Sequence, residues 1–473
     1  MSDIKFGTDG WRAIIADDFT VDNVKRVAYA TALWMKDKYP DSSAVVGYDC
    51  RFGGKLFAET TARILASNGI HVYISPDFVS TPMVSLATNR LSAGCGIIIT
   101  ASHNPPSYNG YKIKGNYGGP ALPEMIDEVE KLLPAKYDSD FRAFDDLKAE
   151  GRIEYYDMEG LYITHAKNSF DMEAIRNSGI RVGYDAMFGA GQRAVKALLP
   201  DALALHADYN PSFLGQAPEP ILKNLQPFSD MIRKDGKIGF AFATDGDADR
   251  IGILDSHGEF VDSHHIILML VNYLHKYKGM SGKVVNSFSC TSKIGKLCEK
   301  YGLENIVTKI GFKYICGYMI EEEVLVGGEE SGGIAVANHI PERDGVWIAL
   351  TILEYMAKSG KSMELLIQEI YDAVGEFALE RYDLHVENEL KEKTVADLKA
   401  GKYTSFGDYK VTGTEDKDGN KFHLSKDGNN GSWVMMRASG TEPVLRIYAE
   451  AKNHQEAVNI LDAAQETLFG SNQ

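Results

Sequence analysis

Hydrophobic and polar positions near the start of the chain follow an alternation of helices and strands. From residue 22 the apolar residues recur at helical spacing to about Tyr39, and the strand AVVGYD follows. A helix from Lys55 to about Asn68, the strand VYIS, a short helix after Pro82 and the strand GIIITA continue this alternation. Strands that are apolar on both faces, such as GIIITA, are typical of a largely parallel sheet covered by helices on either side. The pattern therefore predicts an α/β fold, in which ligands bind beyond the carboxyl ends of the strands.

The same pattern is repeated further along the chain. VGYDCRFGG at 46–54 returns as VGYDAMFGAG at 182–191, each time between two helical stretches. A third copy of the pattern lacks the VGYD motif and runs from the apolar helix around His264 through KVVNSFS and NIVTKI to VLVGGEES. Each copy ends with a strand and an unusual loop: TASHNPP, TDGDADR and GGEESGG. We expect three similar α/β domains with mixed, largely parallel sheets, each of which supplies one loop.

The final part of the chain has a different character. The strand-like RYDLHV, a helix near Val395 to Lys399, the turn signals KDGN and DGNNG, the strands WVMMR and VLRIYAE and a closing amphipathic helix predict a small α+β domain. Its distinctive loop is RASGTEP. The predicted domains are 1–150, 151–262, 263–376 and 377–473.

Composition narrows the class of protein and of partner. The 473 residues are 44% hydrophobic and 25% charged, which fits a soluble globular protein with several domains of about 150 residues each. There are 50 Lys and Arg against 66 Asp and Glu, and the net charge of −16 repels polyanions, so nucleic acid is a poor partner. A local cluster of cations can still bind a small phosphorylated ligand.

Cysteine content and the amino terminus indicate the cytoplasm. Five cysteines, with no CxxC pair and no Cys/His spacing typical of zinc sites, suit a reducing compartment. The start MSDIKFGTDGW lacks the basic and apolar regions of an export signal. The longest apolar run, Ile266 to Val271, is far too short to span a membrane. We expect a cytoplasmic protein without a membrane partner.

The loop TDGDADR carries the clearest metal-binding pattern. Asp245, Asp247 and Asp249 alternate, so in an extended segment their carboxylates fall on one side and can share a cation, with Mg²⁺ the leading candidate. An EF-hand is excluded, because its sixth and twelfth positions would be Arg250 and Ser256. A solvated acidic turn is the alternative. Carboxylates about 4 Å apart repel by roughly 1 kcal/mol per pair in water and about 4 kcal/mol at an effective dielectric of 20, so a loop in a cleft needs a cation.

The loop TASHNPPSYNGYKIK carries the candidate nucleophile. Ser102 follows a buried strand and precedes two prolines, which presents its hydroxyl at the carboxyl edge of the sheet. Ser102 and His103 are candidate catalytic residues. A serine hydrolase is disfavoured, because there is no GxSxG elbow and the two side chains would point to opposite sides of an extended chain. A serine that caps a turn beside Asn104 is the alternative. Lys112 could neutralise a transferred phosphate or carry a proton, unless it is an isolated surface lysine.

Two further loops have the composition of ligand sites. GGEESGG offers acceptors on Glu329 and Ser331 with a backbone that a ligand can approach closely, which suits a sugar, although a glycine-rich bend with a solvated acidic pair explains it equally well. RASGTEPVLR combines guanidinium groups, hydroxyls and backbone N–H groups, as a phosphate-binding nest requires. A hairpin with two surface arginines is the alternative. The candidate residues of this loop are Arg437, Ser439, Gly440, Thr441 and Arg446.

In this order the loops resemble the motifs of the alpha-D-phosphohexomutase family, the phosphoglucomutases and phosphomannomutases. The resemblance spans nearly the whole chain, from FGTDG to RASGTEP. It implies four domains around a central cleft, three α/β and a C-terminal α+β. It also implies a phosphoserine at Ser102, whose phosphate would hold Mg²⁺ together with Asp245, Asp247 and Asp249.

The resemblance assigns roles to the remaining candidates as well. Sugar hydroxyls would bind Glu329 and Ser331, and the second phosphate of the substrate would bind the RASGTEP loop. Arg250 and Lys112 would lie nearest the transferred phosphoryl group, and Arg12 in the turn FGTDGWRA would contribute if that turn faces the cleft. The further cations available to phosphate are Lys313, Arg437 and Arg446.

Two motifs favour glucose as the sugar. GEES resembles the glucose-preferring members, whereas dual-specificity phosphomannomutases carry GEMSGH and phosphoglucosamine mutases carry GEQSGH. In KIGFKYI the dual-specificity enzymes have His at the position of Phe312, while Lys313 matches the glucose type. The chain is shorter than many glucose-specific members. Mannose or glucosamine phosphates therefore remain alternatives.

The resemblance implies a phosphoglucomutase that interconverts glucose 1-phosphate and glucose 6-phosphate, with glucose 1,6-bisphosphate as intermediate and activator. We expect hexose phosphates as the small-molecule partners and a monomer or homodimer. A Mg²⁺-dependent sugar phosphatase could use the same loops. A non-catalytic sugar-phosphate sensor is the third class, but it gives no reason for a serine, three alternating aspartates and a phosphate nest to occur together.

Overall fold

A computed structural model describes residues 4–137, 142–438 and 443–470. Its contacts divide the chain into two compact units. The first extends to Val285 and also includes Gly311–Leu366, and the second consists of Asn286–Ile310 and the chain from Ile367 onward. All five cysteines are buried and none forms a disulfide bond. Within the described ranges, no helix combines the length and the hydropathy that crossing a bilayer requires.

The first region is a six-stranded mixed sheet. Strand β1 (Trp11–Ile14) and strand β5 (Tyr108–Gly115) run antiparallel at one side, and the other strands are parallel, in the order β1-β5-β4-β2-β3-β6. The remaining strands are β2 (Ser43–Tyr48), β3 (His71–Ile74), β4 (Cys95–Ile99) and β6 (Ile153–Tyr155). The helices are α1 (Val21–Lys38), α2 (Gly54–Ser67), α3 (Thr81–Arg90), α4 (Pro123–Lys131) and α5 (Phe144–Ala149).

Local sequence explains where these elements begin. Thr20 and Ser80 cap helices α1 and α3, because each hydroxyl accepts a hydrogen bond from a free backbone N–H of the first turn. Pro82 stands in the first turn of α3, where its missing N–H costs nothing. All five residues of β4 are buried, as the apolar run GIIITA predicts for a strand covered on both faces. The sheet therefore delivers Thr100 and the following loop to its carboxyl edge.

The second region repeats the arrangement with five strands, in the order β11-β10-β9-β7-β8. Strands β7, β8 and β9 are parallel, and β10 and β11 continue the sheet antiparallel. The strands are β7 (Arg181–Asp185), β8 (Leu203–Leu205), β9 (Ile238–Thr244), β10 (Ile251–Leu254) and β11 (Phe260–Val261). The helices are α6 (Met158–Ser169), α7 (Met172–Asn177), α8 (Gln192–Leu198) and α9 (Gln226–Asp235). The loop TDGDADR follows β9 directly.

The third region alternates helices and strands once more, and β14 pairs antiparallel with β15. Its strands are β12 (Lys283–Ser287), β13 (Asn305–Thr308), β14 (Val324–Gly328) and β15 (Ile334–Val336). Its helices are α10 (Ser263–Asn272), α11 (Lys293–Tyr301), α12 (Phe312–Glu321) and α13 (Gly345–Ser359), and α14 (Met363–Val374) leads into the last region.

The C-terminal region is an antiparallel six-stranded sheet in the order β16-β21-β20-β19-β18-β17. Its strands are β16 (Ala378–His385), β17 (Ser405–Phe406), β18 (Tyr409–Glu415), β19 (Asn420–Lys426), β20 (Asn429–Ala438) and β21 (Val444–Ala451), and its helices are α15 (Asn388–Lys399) and α16 (His454–Phe469). The predicted fold class, three α/β domains and a C-terminal α+β domain, is confirmed. The three domain boundaries in the sequence, near residues 150, 262 and 376, stay a prediction.

Candidate functional site

Ser102 and the TDGDADR loop come together although they are far apart in the sequence. The Oγ of Ser102 donates a hydrogen bond to Oδ2 of Asp245 at 2.6 Å, and Ser102 is 1% exposed. Both residues follow buried parallel strands, β4 and β9, at the strands' carboxyl ends. The serine hydroxyl at the carboxyl edge of the first sheet therefore lies against the acidic loop at the carboxyl edge of the second.

The expectation that Ser102 and His103 face opposite sides is wrong. Ser102 adopts a left-handed φ of 52°, so the chain turns where an extended segment was assumed. Its Oγ lies 3.3 Å from Nδ1 of His103. Burial, together with Arg250 and Arg12, holds the pKa of His103 well below its usual range. The imidazole is therefore neutral near pH 7.

Three carboxylates of the TDGDADR loop form a buried cluster. Asp245, Asp247 and Asp249 are fully buried, and one oxygen of each lies within 4.8 Å of the others. The alternative of a solvated acidic turn is therefore wrong. Among the described residues this is the one group of three potential metal-ligating side chains with such geometry.

Neighbouring donors occupy one oxygen of two of these carboxylates and leave the other open. Oδ2 of Asp247 accepts from Thr81 Oγ1 at 2.6 Å and from Lys112 Nζ at 2.8 Å. Oδ2 of Asp249 contacts Lys112 Nζ at 3.2 Å and Arg343 Nη2 at 2.8 Å. The Oδ1 atoms of both aspartates are buried with no hydrogen-bond partner. Orphaned anionic oxygens on two carboxylates of one buried cluster fit a small divalent cation bound by oxygen ligands.

The pKa shifts of Asp245 and Asp247 also favour a bound cation. Burial, reinforced by Asp247 and Asp249, raises the pKa of Asp245 well above its usual value. Burial also opposes ionisation of Asp247, but Lys112 and the hydroxyl of Thr81 outweigh it and lower that pKa. The protein alone thus stabilises only part of the negative charge of the cluster. A divalent cation would stabilise the remaining negative charge, so the residues fit the predicted Mg²⁺.

A set of cations surrounds Asp9, next to the acidic cluster. Oδ2 of Asp9 contacts Arg343 Nη2 at 2.8 Å, Lys112 Nζ at 2.9 Å and Arg12 Nη2 at 3.1 Å. Arg12 also donates to Oδ1 of Asn104 at 2.7 Å, which links the amino-terminal turn to the Ser102 loop. Burial raises the pKa of Asp9, yet these cations hold it well below its usual range. The turn FGTDGWRA therefore faces the same site as Ser102.

Lys112 is a fixed cation here. It is 1% exposed, so the alternative of an isolated surface lysine is wrong. Burial lowers its pKa, but Asp247, Asp249 and Asp9 outweigh burial and raise the pKa above its usual value. The arrangement favours phosphate neutralisation over proton transfer by this side chain.

The GGEESGG loop is joined to the acidic loop through the backbone. Arg250 and Gly333 form an antiparallel bridge, and the N–H of Ile251 donates to the carbonyl of Gly332 at 3.1 Å. The N–H of Arg250 also donates to Oδ1 of Asp245 at 3.1 Å, and its Nε is buried without a partner. The sugar-binding candidates on this loop are therefore held beside the metal-binding candidates.

The side chains of this loop differ in exposure. Glu329 is 6% exposed and accepts a hydrogen bond from the N–H of Gly311 at 2.9 Å. Burial raises its pKa to about 7. Ser331 is half-buried.

Lys313 lines a cavity of about 140 Å³ together with Asp9 and Lys112, which places it near the cation set.

The fourth predicted loop is described only in part. Ser439, Gly440 and Thr441 lie outside the described residues. Arg437 and Arg446 belong to the second compact unit and stand directly opposite each other on β20 and β21. Their Nε atoms lie 3.3 Å from Asp418 and 3.8 Å from Asp383, respectively. Like charges directly opposite each other destabilise a sheet, and a bound anion would relieve this repulsion. Phosphate binding by this loop stays a prediction.

Sequence reasoning missed Asp9, Thr81 and Arg343. Arg343 is buried and lies within Glu-Arg-Asp, a run of three charged residues between apolar segments. Such a run, fully charged in an otherwise apolar stretch, was a usable signal for buried ion pairs. Thr81 and Asp9 offered no comparable signal, because a threonine at a helix start and an aspartate in a turn have ordinary local roles.

Comparison with known proteins covers almost the entire chain. The four domains described for the phosphoglucomutase/phosphomannomutase family match residues 3–139, 161–258, 262–374 and 387–466, the first three as alpha/beta/alpha domains I to III and the last as the C-terminal domain. A phosphoglucomutase/phosphomannomutase of Thermococcus kodakarensis is 31% identical over 97% of this chain and 96% of its own length. A phosphoglucosamine mutase of Carboxydothermus hydrogenoformans is 28% identical over 98% of this chain and 99% of its own. The crystal structure of a Thermus thermophilus protein assigned as a phosphomannomutase superposes with a TM-score of 0.86 at 31% identity, covering 99% of this chain and 100% of that one.

Mg²⁺ should raise the midpoint of thermal unfolding of the native chain, because an ion that binds only the folded state stabilises it by about 2.7 kcal/mol at a hundred times its Kd. Asp247→Asn should remove this response, since it replaces one of the orphaned carboxylates. Differential scanning calorimetry with and without Mg²⁺ measures the shift.

Asp255→Asn is the matched control for this measurement. Asp255 is also a buried aspartate, but its Oδ1 accepts from the backbone N–H groups of His257 and Glu259. The control should unfold at a lower temperature than the native chain and keep the full Mg²⁺ response. An equal response in Asp247→Asn and Asp255→Asn would show that the ion binds elsewhere.

Proposed function

The chain belongs to the phosphoglucomutase/phosphomannomutase family, and on this premise we propose that it interconverts glucose 1-phosphate and glucose 6-phosphate through a phosphoserine at Ser102. It is a phosphohexomutase, an intramolecular phosphotransferase, and the proposal concerns its sugar and its residues. The observation that carries the proposal is the buried hydroxyl of Ser102, 2.6 Å from Asp245 within the acidic cluster.

The proposed reaction has two halves that use Ser102 in opposite directions. In the first, the bond between Ser102 Oγ and phosphorus breaks while the free hydroxyl of a glucose monophosphate forms a new bond to phosphorus. The proton of that hydroxyl ends on Ser102 Oγ, and the product is glucose 1,6-bisphosphate. After the bisphosphate reorients, the phosphoryl group at its other end moves to Ser102 Oγ, and the proton passes to the sugar oxygen that leaves. His103, whose Nδ1 lies 3.3 Å from this oxygen, is proposed to relay the proton.

Charge neutralisation is the main contribution of the surrounding side chains. Phosphoryl transfer spreads negative charge over the oxygens of the moving group, and fixed cations stabilise that charge in a buried site. Lys112 and Arg343 supply two buried cations, and Arg12 supplies a third at the entrance. Mg²⁺, held by Asp245, Asp247 and Asp249 with the Ser102 phosphate, would neutralise the remaining charge when bound. Arg250 is proposed to contact the phosphoryl group.

The sugar is proposed to bind the GGEESGG loop. Glu329 and Ser331 would accept and donate hydrogen bonds to its hydroxyls, and the RASGTEP loop with Arg437, Ser439, Gly440, Thr441 and Arg446 would bind the second phosphate. Lys313 would contribute a further cation. The GEES sequence, Phe312 and Lys313 support glucose. Mannose or glucosamine phosphates are the second candidate, because similar relatives carry those names.

The remaining properties follow from the same proposal. Glucose 1,6-bisphosphate is proposed as the activator, since it is the compound that would rephosphorylate Ser102. Buried cysteines that form no disulfide bond support the proposed cytoplasmic location. A monomer or homodimer stays a prediction.

Ser102→Ala should abolish mutase activity, with kcat reduced by about a factor of 10⁴ or more, because the variant lacks the hydroxyl proposed to carry the phosphoryl group. Ser107→Ala is the matched control, since Ser107 is exposed in the same loop. Incubation with ³²P-labelled glucose bisphosphate should label the native chain and Ser107→Ala but not Ser102→Ala. Labelling of Ser102→Ala at a near-normal level would rule out the serine mechanism.

Glucose 1-phosphate should give the highest kcat/KM in a panel with mannose 1-phosphate and glucosamine 1-phosphate. A difference of about tenfold, or roughly 1.4 kcal/mol in transition-state binding, is expected for one altered hydroxyl or amino group. The assay includes the matching bisphosphate and also measures free phosphate. A preference for mannose or glucosamine would replace the proposed sugar. Release of inorganic phosphate faster than isomerisation would identify a phosphatase instead.

A further inference from the structure

The repeated VGYD segment contains one difference that the reaction described above does not explain. In both copies the aspartate accepts a hydrogen bond from the backbone two residues later: Oδ1 of Asp49 accepts from the N–H of Arg51 at 3.0 Å, and Oδ1 of Asp185 accepts from the N–H of Met187 at 2.8 Å. The backbones then differ, because Met187 has a left-handed φ of 47° and Arg51 does not. The shared hydrogen bond therefore does not require an arginine side chain. Met187 simply packs into the apolar core of its own region.

Arg51 has a different set of contacts. Its side chain is completely buried, and its guanidinium group donates to four backbone carbonyls of the loop that carries Ser102. Nη2 donates to the carbonyls of Ser102 and Asn104, both at 2.6 Å. Nη1 donates to the carbonyls of Pro105 and Tyr108 at 2.8 and 3.1 Å. Three of these carbonyls belong to the irregular loop after Thr100 and the fourth to Tyr108 at the start of β5, so Arg51 joins both ends of the loop.

A second chain of hydrogen bonds joins the same turn to Ser102. Oδ2 of Asp49 accepts from Oγ1 of Thr100 at 2.5 Å, and Oγ1 of Thr100 accepts from the N–H of Ser102 at 2.9 Å. Asp49 also pairs with Arg51, at 3.4 Å from its Nε. The N–H and the carbonyl of Ser102 are therefore both held from this turn, one through Asp49 and one through Arg51.

The conformation of Ser102 explains why such a support is needed. A left-handed φ of 52° costs a non-glycine residue of order 1 kcal/mol and persists only where the surroundings fix it. In this conformation Oγ points at Asp245 and also lies beside His103. A relaxed loop would turn the hydroxyl away from both.

We propose that Arg51 is a positioning residue for the phosphoryl-carrying serine: it holds Ser102 in its left-handed conformation through the backbone of residues 102–108. Arg51 does not touch the sugar or the moving phosphoryl group. The ring of Phe213 lies 5.1 Å from the guanidinium carbon and covers it from the second region. The inference rests on the proposed function, in which Ser102 carries the phosphoryl group.

Two substitutions and one control test this role. Arg51→Met introduces the residue that the second repeat carries, and Arg51→Lys keeps the charge beside Asp49 but cannot reach four carbonyls at once. Arg193→Met is the control, because Arg193 also donates to a backbone carbonyl, that of Phe78, and stacks on an aromatic ring. Circular dichroism establishes which variants are folded, and Arg51→Lys decides the test if Arg51→Met does not fold.

The first measurement is hydrogen exchange of the amides in residues 101–110, which does not depend on the reaction. In Arg51→Lys these amides should exchange about tenfold faster than in the native chain, while the repeat at 182–191 keeps its native rate. The second measurement is steady-state kinetics. The kcat of Arg51→Lys should fall about 100-fold, as expected when a reacting group is misplaced by about 1 Å, with KM for the hexose phosphate changed less than about threefold. Arg193→Met should match the native chain in both measurements.

Either of two results would overturn the proposal: native exchange rates in residues 101–110 of Arg51→Lys, or a native kcat in that variant. A parallel increase in KM would equally overturn it, since the defect would then lie in substrate binding. If the native chain transfers no phosphoryl group, the proposed function fails instead, and the exchange measurement still decides whether Arg51 holds the loop.

Discussion

The site depends on a cluster of like charges that the fold buries without neutralising completely. Folding buries three carboxylates together, those of Asp245, Asp247 and Asp249. Each pair, at a separation of about 4 Å, would repel by about 4 kcal/mol at an effective dielectric of 20. Lys112, Arg343 and Thr81 offset part of this repulsion, since they bind the Oδ2 atoms of Asp247 and Asp249. The orphaned Oδ1 atoms of these two residues are the part that the protein leaves open for a cation.

The same donors connect segments that are distant in the sequence. Thr81 begins a helix of the first region, Lys112 lies on its sheet, and Arg343 precedes a helix of the third region, yet all three bind the acidic loop of the second. Removing any one of them would leave a buried carboxylate with less support, at a cost typical of broken buried ion pairs. Within this compact unit, the packing of these segments against the acidic loop therefore also determines the electrostatics of the site.

Much of this arrangement could be predicted from the sequence. Alternating aspartates after an apolar strand indicated a shared cation, and a serine after another such strand indicated a hydroxyl at the carboxyl edge of its own sheet, where open α/β sheets bind ligands. That the two loops share one site was implied by the family resemblance. The prediction for His103 failed because it assumed an extended chain, and nothing in TASHNPP reveals that Ser102 turns left-handed. That conformation is imposed by Arg51 and Asp49, about 50 residues earlier in the chain. Asp9 and Thr81 were missed for the same reason, since tertiary structure sets their partners, whereas the charged run around Arg343 was a signal in the sequence.

The proposed mechanism requires that the phosphoryl group on Ser102 and the carboxylates of the three aspartates bind one and the same divalent ion. Electron–nuclear double resonance of Mn²⁺ bound to the phosphorylated protein tests it most directly, because a phosphorus nucleus next to the ion gives a hyperfine coupling. The account predicts a ³¹P coupling from phosphoserine 102 together with loss of Mn²⁺ binding in Asp247→Asn. Mn²⁺ bound at the aspartates with no ³¹P coupling, while Ser102 is phosphorylated, would contradict it.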